Sequence, residues 1–346
     1  MWEELTPRER EVLSIIVEGY IESTSPIGSR YVSKKSSLHL SPATMRNIMA
    51  DLTEKGYLKQ PHTSAGRVPT EKGLRFYVGY VLRPQLLGEE KRRIEEYFKH
   101  TREYEFSEIL EMTSRFISNE TRLLGMAVAP RISFMKWKQI DFVLVRPGMV
   151  MAILVLEGGM VHNRIIRLKE SRITPEDLIK FSNYLNEKFQ GQTLPQVKAG
   201  IRKEMEEARK RFNNLYFNAL KLAQKTCEGE EDQEVFVEGT FKVIDRIDPR
   251  DLERMKTLLE FLEKRSELLK LLDKIDDPEG IFITFGREFF GSELEEWSII
   301  SSPYGVGGEP LGIIGTIGPL YMNYSKLIPM VDYMAKMLSE ILENRL

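Results

Sequence analysis

Apolar residues in the first eighty or so positions recur with helical spacing. Val12, Leu13, Ile16, Val17 and Tyr20 make one face behind Thr6-Pro7-Arg8-Glu9, a capping box with proline at the first helical position. Pro26 to Lys35 predicts a short second helix starting near Gly28, and Ser36 to Leu40 a tight turn. Ser41 then caps a third helix, Pro42 opens it and Gly56 stops it, with Met45, Ile48, Met49 and Leu52 at i, i+3, i+4 and i+7. Tyr57 to Gln60 and Arg67-Val68 flank the turn residues His62, Thr63, Ser64 and Gly66, which predicts a β-hairpin. A further helix from Thr70 to about Leu82 adds Leu74, Tyr77, Val78 and Val81 to the core. Helix, tight turn, helix and hairpin together predict a winged helix-turn-helix over residues 1–88.

Past Arg83-Pro-Gln-Leu-Leu-Gly88 the pattern changes. Residues 89–106 read as a charged helical linker, and Ser107 to Leu124 as an amphipathic helix carrying Ile109, Met112, Phe116 and Leu123. The runs Gln139–Val145, Met149–Leu156 and Val161–Leu168, separated by Pro147-Gly148 and Gly158-Gly159, predict an antiparallel meander. Strand-like pieces return at Ile281–Phe285, Trp297–Ser301 and Leu311–Ile317. They precede a last helix, Tyr324 to about Leu342, that packs Leu327, Met330, Val331, Met334, Met337 and Leu338. Residues 107–168 and 277–346 are therefore expected to share one sheet, as two parts of an α+β domain interrupted by a mostly helical insertion at 169–276. In that insertion Ile201, Met205, Ala208, Phe212, Leu215, Ala219 and Leu222 alternate spacings of four and three, and Leu252, Met255, Leu259, Leu262 and Leu269 do much the same. Such a seam serves either packing within one chain or a dimer interface.

The outward face of the third helix carries the candidate chemistry. It presents Ala43, Arg46, Asn47 and Ala50, flanked by Thr44 and Asp51, where an ordinary surface helix shows Lys and Glu. Small residues allow close approach to base edges, and Arg and Asn make bidentate contacts to guanine and adenine. Ser41, Ala43, Thr44, Arg46 and Asn47 form the expected reading surface. Arg30, Lys34, His62, Thr63, Ser64 and Arg67 add contacts around it, with Lys34 and Arg67 suited to phosphate. From Ser23 to Arg83 there are ten Lys and Arg against three Asp and Glu, a net of +7 in a chain whose total is −2. Cationic charge concentrated on the motif is the footprint of polyanion binding.

Enzymatic readings find little support. The four histidines, His39, His62, His100 and His162, are scattered without Cys or carboxylate at metal-ligand spacing, and no Gly-x-Ser-x-Gly elbow occurs. Gly305-Val-Gly-Gly308 lacks the Gly-Lys-Ser/Thr ending of a phosphate loop and reads as a turn between strands. No catalytic, metal or cofactor site is expected. One cysteine, Cys227, fits a reducing compartment; the longest apolar runs fall short of a membrane span, and Met1-Trp-Glu-Glu-Leu is no secretory signal, so a cytoplasmic protein is expected.

Gly28-Ser29-Arg30, Ser41-Pro-Ala-Thr-Met-Arg-Asn-Ile-Met-Ala-Asp-Leu52 and Pro61-His-Thr-Ser-Ala-Gly-Arg-Val-Pro-Thr70 resemble the HrcA family of heat-inducible transcription repressors, in the right order and nearly unbroken. Tyr304-Gly-Val-Gly-Gly308 and Gly312-Ile-Ile-Gly-Thr-Ile-Gly-Pro319 look like that family's second region. Leu320-Tyr-Met-Asn-Tyr-Ser departs from the polar, arginine-containing sequence usual after its Gly-Pro. The resemblance implies a GAF-like α+β domain and a dimerising insertion, which favours the seam through Ile201, Met205, Phe212, Leu215 and Leu222 as the interface of a homodimer. It also implies binding to an inverted-repeat operator, CIRCE, ahead of chaperonin and Hsp70-type operons, with activity modulated by the chaperonin GroEL. Two alternatives remain beside it: a metabolite-sensing winged-helix regulator using the GAF-like pocket, and a bifunctional repressor-ligase, for which no basic glycine-rich adenylate loop is present.

Overall fold

The computed structural model describes residues 5–63, 65–81, 85–130, 135–157, 160–168, 173–210, 214–227, 234–244, 252–263, 269, 280–286 and 296–345. Helices α1 (Pro7–Ser23), α2 (Ser29–Lys35) and α3 (Pro42–Glu54) form where their caps dictate. Thr6 Oγ1 accepts from the Glu9 amide, and the Glu9 carboxylate accepts from the Thr6 amide at 2.8 Å. Ser41 Oγ accepts from the Thr44 amide at 3.2 Å, satisfying one unpaired donor of the first turn. After α3, Gly56 takes a φ of 77° and turns the chain into β1 (Leu58–Lys59), which pairs antiparallel with β2 (Val68–Pro69). Helix α4 (Glu71–Phe76), continued by a π-helical turn at Tyr77–Val81, closes the N-terminal unit. Val12, Leu13, Ile16, Val17, Met45, Met49, Leu52, Tyr57 and Leu74 are buried in its core, with Tyr20 and Ile48 half-buried at the rim.

The hairpin is fastened to the helices by backbone. Ile27 and Arg67 exchange hydrogen bonds of 2.9 and 2.8 Å. Gly66 lies so close to this segment that a Cβ would overlap the Ile27 carbonyl, so only glycine fits.

Helix α5 (Gly88–Tyr97) leads to α6 (Phe106–Thr121), which ends one turn earlier than its apolar content predicts because Arg122 adopts φ 55°. Leu124, expected in that helix, instead starts strand β3 (Leu124–Val128), buried along its whole length. Strands β4 (Trp137–Arg146), β5 (Met149–Leu156) and β6 (Val161–Arg167) form the predicted antiparallel meander. Helices α7 (Pro175–Phe189), α8 (Leu194–Lys210) and α9 (Asn214–Cys227) follow, then β7 (Val235–Glu238), α10 (Thr240–Ile244) and α11 (Leu252–Glu263). Strands β8 (Phe282–Phe285), β9 (Trp297–Val306) and β10 (Glu309–Pro319) and helix α12 (Tyr324–Glu343) complete the described chain.

The expected single sheet is replaced by two. Strands β7, β3, β10, β9 and β8, in that order, make a five-stranded antiparallel sheet, while β4, β5 and β6 make a separate three-stranded one. Helix α6 lies on β3 and α12 on β9, burying Ile109, Ile117, Ile299, Ile314, Val331 and Met334 in a core continuous with that of the N-terminal unit. The meander has its own core. Every second residue of β5 is buried, and Leu178, Phe181, Leu185, Ala219, Leu222 and Ala223 from α7 and α9 cover that face. Asn186 Oδ1 rivets the layers by accepting from Trp137 Nε1 at 3.1 Å and from the Ile140 amide at 2.7 Å.

The chain leaves the larger sheet at the end of β3 and returns on the neighbouring strand β7, where the Ala129 amide donates to the Glu234 carbonyl at 2.8 Å. The inserted segment thus spans residues 130–233 rather than the expected 169–276. Leu258 and Phe261 of α11, expected in the insertion, lie in the core of the larger sheet. The predicted heptad seam also divides: α8 and α9 pack on each other, Ile201 and Leu222 are 1% exposed, and Met205 is half-buried against the same core. Ile201 and Leu222 therefore have no free face for a partner chain. Phe212 and the Leu215 side chain lie outside the described residues.

Candidate nucleic-acid interface

The two faces of α3 separate cleanly. Met45, Met49 and Leu52 are buried, while Ala43, Thr44, Arg46, Asn47 and Ala50 are exposed. Among the described residues, neither Arg46 nor Asn47 has a side-chain hydrogen-bond or ion-pair partner. Ser41 is exposed, but its hydroxyl is engaged in the cap and lies 3.0 Å from Thr44 Oγ1, so this pair orders the first turn. Arg30 and Lys34 lie exposed one turn apart on α2. His62 and Thr63 are exposed at the hairpin tip, and Ser64 falls outside the described residues.

Arg67 differs from this set. It is half-buried at the base of the hairpin, and its Nε donates to Thr53 Oγ1 at 2.9 Å. The guanidinium therefore acts as a strut between the hairpin and the end of α3.

Several residues that fix the geometry escaped the sequence pattern because their partners are distant along the chain. Glu11 Oε1 accepts from Ser36 Oγ at 2.8 Å, from the Ser37 amide at 2.7 Å and from Ser37 Oγ at 2.9 Å, tying α1 to the α2–α3 turn. Ser33 Oγ closes the other side of that turn by donating to the Leu40 carbonyl at 2.7 Å. Within it, His39 holds a φ of 52° that most side chains avoid. Gln60 Nε2 donates to the carbonyls of Thr63 and Ala65 at 2.9 and 3.1 Å and so shapes the tip.

Glu9 does double service: besides capping α1 it binds Lys55 Nζ at 2.8 Å, joining the start of α1 to the end of α3. Burial opposes ionisation of Glu9, but the hydrogen bonds from Lys55 and Thr6 outweigh it and hold the carboxyl below its ordinary value. Burial likewise opposes ionisation of Glu11, and its serine and backbone donors overcome that. Both acids are thus consumed internally, and the outward surface keeps its cationic character.

The family profile described as "HrcA protein C terminal domain" matches residues 107–328. A heat-inducible transcription repressor HrcA from Nitratidesulfovibrio vulgaris is 41% identical over 345 residues, covering 99% of this chain and 97% of that protein. The chain belongs to the HrcA family of heat-inducible transcription repressors. HrcA proteins from Syntrophobacter fumaroxidans and Geobacter sulfurreducens are each 38% identical, again covering 99% of this chain, with 98% and 99% of their own lengths. A solved structure titled a hypothetical protein covers 99% of this chain and 100% of its own, at 25% identity and a TM-score of 0.63.

Full-length HrcA relatives thus extend over the helices and hairpin that precede the family profile. The HrcA family is one of repressors, not enzymes. Among the described residues no cluster of His, Cys, Asp or Glu could hold a metal ion, and no helix is long and apolar enough to cross a membrane.

Proposed function

We propose that this chain represses chaperonin and Hsp70-type operons by binding an inverted-repeat operator of the CIRCE kind as a homodimer, with GroEL modulating its activity. The N-terminal unit is then a winged helix: α3 enters the major groove, and the β1–β2 hairpin is the wing. The observation that carries this reading is the exposed, partner-free pair Arg46 and Asn47 between Ala43 and Ala50, on a helix whose opposite side is fully buried. The sheet flanked by α6 and α12 takes the part of the GAF-like domain, and residues 130–233 that of the dimerising insertion.

An inverted repeat requires a two-fold protein. With Ile201 and Leu222 engaged inside one chain, the surface best suited to pairing is the outer face of the meander. There Val143, Met151 and Ile165 stand side by side across the three strands, and Val155 stands beside Val161. Val143, Val161 and Ile165 are 44%, 51% and 59% exposed. A metabolite-sensing role draws less support. The space beneath the larger sheet is filled by Ile300, Tyr304 and Ile314, and the groove of about 600 Å³ beside α12 carries an Asp332–Lys336 pair satisfied within that helix.

Footprinting on a chaperone-operon promoter, with and without GroEL, tests the reading. Two protected half-sites related by a two-fold axis are expected, with stronger protection when chaperonin is added. Protection without two-fold symmetry, or none at any protein concentration, would refute it.

A further inference from the structure

Near the end of α1, Tyr20 meets Tyr321, which lies in the turn between β10 and α12. Their rings pack edge to face, with centroids 4.3 Å apart and planes at 73°. The Tyr321 hydroxyl reaches the carbonyl of Pro69, at the foot of the hairpin, over 3.4 Å. Beside this contact the Arg75 guanidinium covers the ring of Phe285 at 4.5 Å and is itself held by Glu71 at 2.9 Å. So α1 through the Tyr20 ring, β2 through the Pro69 carbonyl and α4 through the Arg75 guanidinium all touch the sheet-bearing body. Among the described elements, the most extensive packing of helix on helix or strand lies on one side of this junction or the other. These contacts lie where the buried core runs on from the N-terminal unit into the body, and they set the angle between the two.

The hairpin tip and the outward face of α3 remain exposed while the junction is closed, so this contact does not mask the reading surface. Burial raises the pKa of both phenols, and they stay neutral throughout the physiological range. Their contact is accordingly one of shape rather than of charge.

We propose that Tyr321 is a positioning residue for operator recognition, whose ring on Tyr20 and hydroxyl on Pro69 fix the winged helix against the body so that the two α3 helices of a dimer are presented at one spacing. The proposal rests on the reading of the chain as a dimeric reader of an inverted repeat. Its physical basis is effective concentration. Two rigidly held heads concentrate the second binding event at one separation, whereas swivelling heads spread it over many. A single half-site involves one head and is indifferent to the angle.

The test uses the full-length chain, its Tyr321→Ala and Tyr321→Phe variants, and three duplexes. These are one half-site, the footprinted inverted repeat, and the same repeat with about five base pairs inserted, half a helical turn. Wild type is expected to bind the intact repeat far more tightly than the lengthened one. Tyr321→Ala is expected to keep wild-type affinity for the half-site, to lose on the order of tenfold on the intact repeat, and to discriminate less between the two spacings. Tyr321→Phe retains the ring on Tyr20 but loses the hydroxyl on Pro69, and is expected to discriminate less than wild type and more than Tyr321→Ala. The same spacing discrimination in Tyr321→Ala as in wild type would overturn the proposal. So would an equal loss on all three duplexes, which would make Tyr321 part of the fold alone. Wild type that binds no inverted repeat at either spacing would instead overturn the functional reading, and this proposal with it.

Discussion

Arg67 donates its Nε–H to Thr53 Oγ1 at 2.9 Å, joining the base of the hairpin to the last turn of α3. The two residues therefore control hairpin placement together, but only Arg67 brings charge. Arg67→Ala is expected to weaken binding to all DNA sequences and to reduce the log–log salt slope by about one. Thr53→Val should lower the melting temperature while leaving that slope intact. A salt titration of both variants checks this, and an unchanged slope in Arg67→Ala would remove its guanidinium from the phosphate contacts.

On the proposed reading, Arg46 and Asn47 carry the sequence-specific part. Replacing either with Ala is expected to cost about 1–3 kcal/mol on the operator and to relax discrimination at one base pair. Non-specific affinity should change far less. Competition binding against operators altered base by base would reveal the relaxed position, and equal losses on operator and random DNA would argue against base contact.

Acid should loosen the N-terminal unit. Glu9 and Glu11 both ionise more readily in the folded chain than when unfolded. Their contribution to stability is therefore complete above the unfolded glutamate value of about 4.3 and is lost as pH falls through the lower folded values. Glu9→Gln is expected to be less stable at neutral pH and to lose less of its stability on acidification. Tyrosine near-ultraviolet circular dichroism across a pH series would follow this. An acid transition in Glu9→Gln parallel to that of wild type would show that Glu9 does not drive it.

The proposed pairing through the insertion can be tested apart from its folding. Ile165→Glu on the outer face of the meander is expected to yield a monomer with an intact fold. Leu222→Ala, inside the second core, should cost about 2–5 kcal/mol of stability and leave the dimer in place at low temperature. Light scattering and thermal melting of the two variants distinguish these outcomes. A dimeric Ile165→Glu protein would move the interface elsewhere.

Legibility in the sequence followed the range of the interactions. The capping box at Thr6, the cap at Ser41 and the stop at Gly56 act within one helical turn, and each lies where its local pattern predicts. The outward face of α3 was equally readable, because a period of 3.6 assigns every residue a side. The failures were of partnership. Alternation along β4, β5 and β6 shows which side chains are buried but not what buries them, so the pattern alone does not separate the meander from the larger sheet. Leu124 follows a helix of similar apolar content, and only the left-handed turn at Arg122 separates helix from strand. A spacing of four and three through Ile201 and Leu222 is the same whether the partner is α9 of one chain or a second molecule. Glu11 and Ser36, 25 residues apart, share no local signal at all.

The hydrogen bond between Ala129 and Glu234 makes residues 130–233 formally the loop of one β-hairpin, with β3 and β7 as its arms. Closing a loop becomes only slowly costlier as it lengthens, so the arms stay paired whatever the loop contains. A short turn in its place would leave the five-stranded sheet and the DNA-reading unit whole. If that segment pairs the subunits as proposed, pairing is a detachable cassette, and a lineage could exchange or lose it without redesigning the sheet from which it hangs.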